Sequence, residues 1–299
     1  EEKEFVASVH SRRACADCHS DITRIPHRKE IEKVNCGRCH YVSPVVRAVP
    51  KKQAEQYQES VHKAALLRGN PQAPSCQECH GAHEVRASSD PASRVHRARI
   101  PETCGRCHLE IYRQYAESIH GAALREGNRD VPVCTDCHGE HAIRAPSDPR
   151  SAVYPTRVPE TCSRCHGSER IERRYGLAAA RGETYRESYH GIANRYGNPT
   201  VANCASCHGS HDIRPSSDPK SSIHRRNLAR TCGKCHRGAS ENFARGKIHV
   251  IISREEEAVL YYVSAGFKWL TVGVMAALVA HIGLDLLGRW RERRRSKQR

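Results

Sequence analysis

Tyr57-Gln-Glu-Ser60-Val-His62, Cys76-Gln-Glu-Cys79-His80-Gly-Ala-His83, Ser89-Asp90-Pro91 and Thr103-Cys104-Gly-Arg-Cys107-His108 follow one another in a single stretch. Its two C-x-x-C-H runs each offer two thiols that can add to the vinyl groups of a haem and an adjacent His that can ligate the iron. The stretch therefore reads as a two-haem repeat, and the rest of the chain is built from it.

All sixteen cysteines fall into eight such motifs. They are Cys15 and Cys18, Cys36 and Cys39, Cys76 and Cys79, Cys104 and Cys107, Cys134 and Cys137, Cys162 and Cys165, Cys204 and Cys207, and Cys232 and Cys235. The adjacent histidines are His19, His40, His80, His108, His138, His166, His208 and His236. A disulfide scaffold does not require a His after every second Cys. Structural zinc needs a further Cys or His pair at ligand spacing, and a thioredoxin-like pair would occur once. The pattern predicts eight covalently attached haem c groups, each with its iron.

Tyr57, Tyr115 and Tyr185 each open Y-x-x-S-x-H, giving His62, His120 and His190. Cys76, Cys134 and Cys204 each open C-x-x-C-H-G-x-H, giving His83, His141 and His211. In all three repeats the two motifs start 28 residues apart. A degenerate copy comes first, with Phe5-x-x-Ser8-x-His10 and motifs 21 residues apart; it lacks H-G-x-H but carries His27. The expected organisation is a degenerate two-haem repeat at 1–56, two-haem repeats at 57–114, 115–184 and 185–250, and a membrane anchor with a basic tail at 251–299. The third repeat carries twelve extra residues, and Ile171–Tyr175 with Ala178–Ala180 reads as a helical insertion at which the two halves could bend.

Three Phe, two Trp and a mean hydropathy of −0.71 leave little for a side-chain core. The expected fold is mainly α with extensive irregular structure, a multihaem cytochrome c cored by its haems, plus one C-terminal transmembrane helix. Short helices are expected to lead into each C-x-x-C-H. The formal charge of +16 falls to about +8 once each ferric haem brings its two propionates. Nucleic acid is therefore not an expected partner.

From Val259 to Leu287 the chain turns apolar, densest between Trp269 and Leu284, a length that suits one bilayer span. Tyr261, Tyr262, Trp269 and Trp290 flank it as an aromatic belt. The tail from Arg289 to Arg299 carries seven basic residues against one Glu, which places it in the cytoplasm and the haem region in the periplasm or on the outer side of a bacterial inner membrane. Glu1 is read as the start of a processed chain.

The one Met, Met275, lies inside this apolar run, so the irons outside must take other axial partners. His10, His27, His62, His83, His120, His141, His190, His211 and His249 are the candidates. Two registers remain open. Either His10 is a ligand with the other S-x-H histidines, or each S-x-H His serves the preceding repeat, His62 facing the Cys36 motif, so that His249 is a ligand and His10 is spare. His96 and His224 stand where the third repeat has Tyr154 and read as propionate or hydrogen-bond partners. Bis-His ligation lacks the thioether that raises potential, which suits low-potential transfer. Within the apolar run, His281 and Asp285 share a face and suggest either a polar contact near the interface or a contact with a quinol site or b-type cytochrome.

The eight motifs with Y-x-x-S-x-H and C-H-G-x-H resemble the multihaem cytochromes c of the cytochrome c3/NapC-NrfH-like kind, although those relatives usually carry an N-terminal anchor and fewer haems. The resemblance implies an electron-transfer subunit working between an integral-membrane quinol-oxidising partner, a b-type cytochrome or iron-sulfur subunit, and periplasmic electron carriers in anaerobic respiration. The alternative is an octahaem reductase of nitrite, hydroxylamine or tetrathionate with one open haem site. No catalytic residue is assigned. All eight motifs end in His, which favours transfer over catalysis.

Overall fold

A computed structural model describes residues 2–24, 26, 31–41, 51–177, 180–246 and 248–296. The chain forms two compact bodies, Glu1–Gly246 and Lys247–Arg299. Among the described residues it is mainly helical, with no strand.

The second, third and fourth repeats are built alike, for reasons visible in their side chains. Each opens on a helix, Lys51–Gln58, Leu109–Glu117 or Arg181–Glu187, which begins a few residues before the Tyr that marks the repeat in sequence. The Tyr hydroxyls of Tyr57, Tyr115 and Tyr185 donate to the carbonyls of Pro74, Pro132 and Ala202 at 2.8, 2.8 and 2.9 Å, tying the opening helix to the segment just ahead of the first motif. The Ser three residues on caps the next helix. Ser60 Oγ accepts from the Lys63 N–H at 3.1 Å and donates to the Tyr57 carbonyl at 2.7 Å. Ser118 and Ser188 do the same in their repeats. In the degenerate first repeat Phe5 has no hydroxyl to make the Tyr bond.

The expectation that a helix leads into every motif needs correcting. The second motifs of these repeats do follow or end a helix, Ile100–Gly105, Val158–His166 or Leu228–Gly233. The first motifs are themselves the helix, one turn starting at the first Cys: Cys76–His80, Cys134–His138 and Cys204–His208. The turn stops at Gly81, Gly139 and Gly209, with φ of +88°, +79° and +82°, a region open to Gly and closed to other residues. This is the physical reason for G in C-H-G-x-H. The Ser-Asp-Pro segments are side-chain turns, Asp90, Asp148 and Asp218 each accepting at 2.8 Å from the N–H two residues on.

The side-chain core is thin. Among the described residues the buried hydrophobic set is Ala73, Val133, Ile171 and Tyr185, whereas the buried polar set includes the helix caps Ser60 and Ser118 and the turn residues Ser93, Ser151 and Ser221. These serines are buried because they satisfy backbone groups.

The insertion forms the helix Glu169–Tyr175; Ala178 and Ala179 lie outside the described residues. It is pinned at its exit. Tyr175 donates to Asp130 at 2.8 Å and to Asn128 at 2.9 Å, and Arg170 and Arg174 both reach Asp130 at 3.1 Å. Ile171 is buried. This arrangement braces the third repeat, and part of the segment at which a bend is expected lies outside the described residues.

In the second body one helix of 39 residues, Ala258–Ser296, is long and apolar enough to cross a membrane. At a rise of about 1.5 Å per residue it is longer than a bilayer core is thick. Arg254 lies over the Tyr261 and Tyr262 rings, and Arg294 over Trp290 at 3.8 Å. Asp285 pairs with Arg289 at 2.9 Å, which gives it the polar partner that the interface reading requires.

Candidate functional site

The two residues between the cysteines of each motif are structural parts. In first motifs the residue before the second Cys reaches back to cap the turn. Asp17, Glu78, Asp136 and Ser206 accept from the N–H of Ala14, Ser75, Val133 and Asn203 at 3.1, 2.7, 2.7 and, by the Ser206 hydroxyl, 3.1 Å. Burial raises the Glu78 pKa, but hydrogen bonds from the Ser75 hydroxyl and N–H outweigh it and hold the carboxyl down to about 2. In second motifs the same position is basic. Arg106 donates to the Glu78 carbonyl at 3.2 Å and Arg164 to the Asp136 carbonyl at 2.9 Å, so the two motifs of a repeat are latched together.

Successive motifs are neighbours in chain order. Cys36 lies against Cys76, Cys104 against Cys134 and Cys162 against Cys204, the upstream thiol of each pair pushed up by holding its proton on the downstream sulfur, which is pulled down. Within repeats, burial and then the sulfurs of the next motif push up Cys18, Cys79, Cys137 and Cys207. The eight motifs thus form one linear series.

Among the described residues, seven motif histidines are seen facing a histidine from outside the motifs. His19 faces His83, His80 faces His141 and His138 faces His211, all with ring centroids 6.0 Å apart. His40 faces His10 at 6.4 Å, His108 faces His62 and His166 faces His120 at 6.3 Å, and His236 faces His190 at 6.1 Å. Two imidazoles on opposite sides of one metal, each bond about 2.0 Å and each nitrogen about 1.2 Å from its ring centre, would place their centroids about 6.4 Å apart. The observed spacings, 6.0 to 6.4 Å, fall close to that distance.

Burial shifts ten of these rings toward the neutral form. Burial, with His166 beside it, lowers His120 to about 4. Burial likewise lowers His10, His40, His62, His80, His138, His141, His166, His190 and His211. Neutral imidazole keeps the lone pair that a metal requires. The Nδ1 atoms of His19 and His141 are buried without a hydrogen-bond partner. Among the described residues no three of His, Cys, Asp and Glu converge as a ligand set for a bare ion.

The histidine pairs bear on the two registers. His62 lies against His108 of its own repeat and not in the Cys36 motif, whose His40 faces His10. This placement matches the register in which His10 stands with the other S-x-H histidines. Each S-x-H His faces the second motif of its own repeat. Each H-G-x-H His faces the first motif of the repeat before, so it is this element that joins repeats. His27 lies outside the described residues, and His249 belongs to the second body. His96 and His224 cap short helices, their Nδ1 atoms accepting from the N–H of Ala98 at 3.4 Å and of Arg226 at 3.3 Å.

Sequence reasoning passed over the latching Arg106 and Arg164 and the capping Asp17, Glu78, Asp136 and Ser206. Their signal is present once the motifs are sorted by place in the repeat: first motifs carry Asp, Glu or Ser before the second Cys, and second motifs carry Arg or Lys. No protein-family model matches this chain, and no solved structure matches it.

Proposed function

We propose that this chain is a membrane-anchored octahaem cytochrome c, of the multihaem kind that its motifs resemble, passing electrons between a membrane quinol-oxidising partner and periplasmic acceptors. The observation that carries the reading is the set of seven pairs in which a motif His faces a non-motif His about one metal's width away. Haem, when bound, supplies one-electron chemistry. The chain's part is to hold each group by two thiols, set imidazoles on either side of it and place the groups in line.

Three further observations support it. The thin side-chain core leaves room for macrocycles to act as the core. The linear order of motifs suits stepwise transfer. A His opposite so many motif histidines suits transfer better than a reductase, which needs an open iron. The apolar helix with its basic tail supports a single-pass protein, haem region outside and tail in the cytoplasm. The donor is then a b-type cytochrome or iron-sulfur subunit in that membrane.

The test is to mature the protein in a host that attaches haem c, count haem per chain as its pyridine derivative and record the ferric EPR spectrum. Eight haems, all low-spin, are expected. A folded chain carrying no covalent haem sinks the proposal, and a high-spin fraction that binds nitrite transfers it to the reductase reading.

A further inference from the structure

The loop after each H-G-x-H element is fixed to the repeat before it at one place. Between the second and third repeats the Val61 N–H donates to the Ile143 carbonyl at 2.8 Å. Beside that bond Arg144 forms an ion pair with Glu59 and lies 3.6 Å from Asp148. Between the third and fourth repeats the Ile119 N–H donates to the Ile213 carbonyl at 2.9 Å, while Arg214 reaches Glu117 at 2.7 Å and Asp218 at 3.2 Å.

What this joint holds is specific. Val61 adjoins His62, which faces His108; Ile143 follows closely on His141, which faces His80. Those two motif histidines are both of the second repeat's. Likewise Ile119 adjoins His120, opposite His166, and Ile213 follows His211, opposite His138. These are both of the third repeat's. One joint therefore carries the two non-motif histidines of one whole repeat, although they come from different repeats.

The arginines are sunk into the joint, Arg144 with 14% and Arg214 with 19% of the side chain exposed. Each arginine also reaches the aspartate of its own repeat, Asp148 or Asp218, so it is the glutamate that ties it across to the other repeat. The first repeat offers an internal comparison. Val9 donates to the Val85 carbonyl at 2.8 Å and Arg86 holds Asp90 at 2.9 Å, but Ala7 stands where the later repeats have Glu.

We infer that Arg144 with Glu59, and Arg214 with Glu117, are positioning residues that hold both non-motif histidines of one repeat as a single rigid pair. The inference rests on the haem-ligand reading of those histidines. It assigns a consequence that single-ligand thinking does not contain: releasing one ion pair loosens two axial bonds together.

Carbon monoxide on the dithionite-reduced protein reads this directly, because it binds iron only where a histidine has let go. Wild-type protein is expected to take up little. R144A should gain up to two carbon-monoxide-binding haems per chain, both in the second repeat, and R214A up to two in the third. E59Q should give a smaller gain, and E59R with R144E should return it to the wild-type level. A7E should lower carbon monoxide uptake by the first repeat's haems. Haem is counted on the same samples, so that a chain without haem fails the functional proposal, whereas full haem content with unchanged carbon monoxide binding in R144A and E59Q overturns this inference alone. If R144A does not mature, E59Q and A7E decide by the same readout. A gain spread evenly over all repeats would also overturn it.

Discussion

The imidazoles of His80 and His141 stack within 8° of parallel, centroids 6.0 Å apart, although one belongs to a motif of the second repeat and the other to the loop of the third. His138 and His211 repeat the arrangement at 6.0 Å and 13°. Under the proposed function these two rings would hold one iron from opposite sides.

Replacing His141 with Met should therefore raise the reduction potential of a single haem, the one held by His80, because a thioether opposite His raises potential. Spectropotentiometry would resolve one component moving upward while the rest keep their midpoints. Movement of all components, or of none, would show that His141 is not an axial partner.

Ser60 is almost wholly buried and bonds two backbone groups. S60A should cost about 1 kcal/mol, the usual loss for a helix N-cap, with S118A costing a similar amount. Chemical denaturation of the haem-loaded protein, followed by far-ultraviolet circular dichroism, measures it. A loss near zero at both positions would mean that the capping bonds contribute nothing net.

Asp130 gathers Tyr175, Arg170 and Arg174. In D130A the insertion should lose its anchor, and amide hydrogen exchange over Glu169–Tyr175 should rise by at least tenfold while the Cys134–His138 turn keeps its protection. Equal rates in both proteins would show that the helix is held by Ile171 alone.

The acidic limit of stability also follows from the turns. Hydrogen bonds from the Arg150 side chain and N–H hold the Asp148 carboxyl down to about 2. A carboxylate depressed in the folded state stabilises it above the unfolded value of about 3.9, and that contribution is lost as pH falls toward the folded pKa. D148N should thus be less stable than wild type at pH 6, and the two should converge as pH approaches 2. Denaturation midpoints across that range give the comparison; a constant gap down to pH 2 contradicts the assignment.

The cysteine motifs, the repeat and the membrane-length helix were legible because each is written in residue types that have few other uses. The ligand register was not. S-x-H and H-G-x-H recur with the same spacing in either register, and only the fold-back of the loop, fixed by Val61 N–H on the Ile143 carbonyl, brings His62 to His108 and His141 to His80. Glu78 and Arg106 were hidden for a different reason. Inside C-x-x-C-H they looked like filler, whereas the one-turn helix needs a cap at one and the partner motif needs a donor at the other.

The H-G-x-H loops give the array a direction. Removing the first repeat takes no histidine away from the second, whose His62 and His141 lie within and after it. Cutting the chain after the second repeat, by contrast, strips His141 from it. On the proposed ligand assignment, a chain that emerges N-terminus first would present each repeat one histidine short until its successor arrives. On the same assignment, the array could lose or gain repeats at its leading end without taking a histidine from those behind it, whereas its trailing repeat depends on a histidine from beyond it.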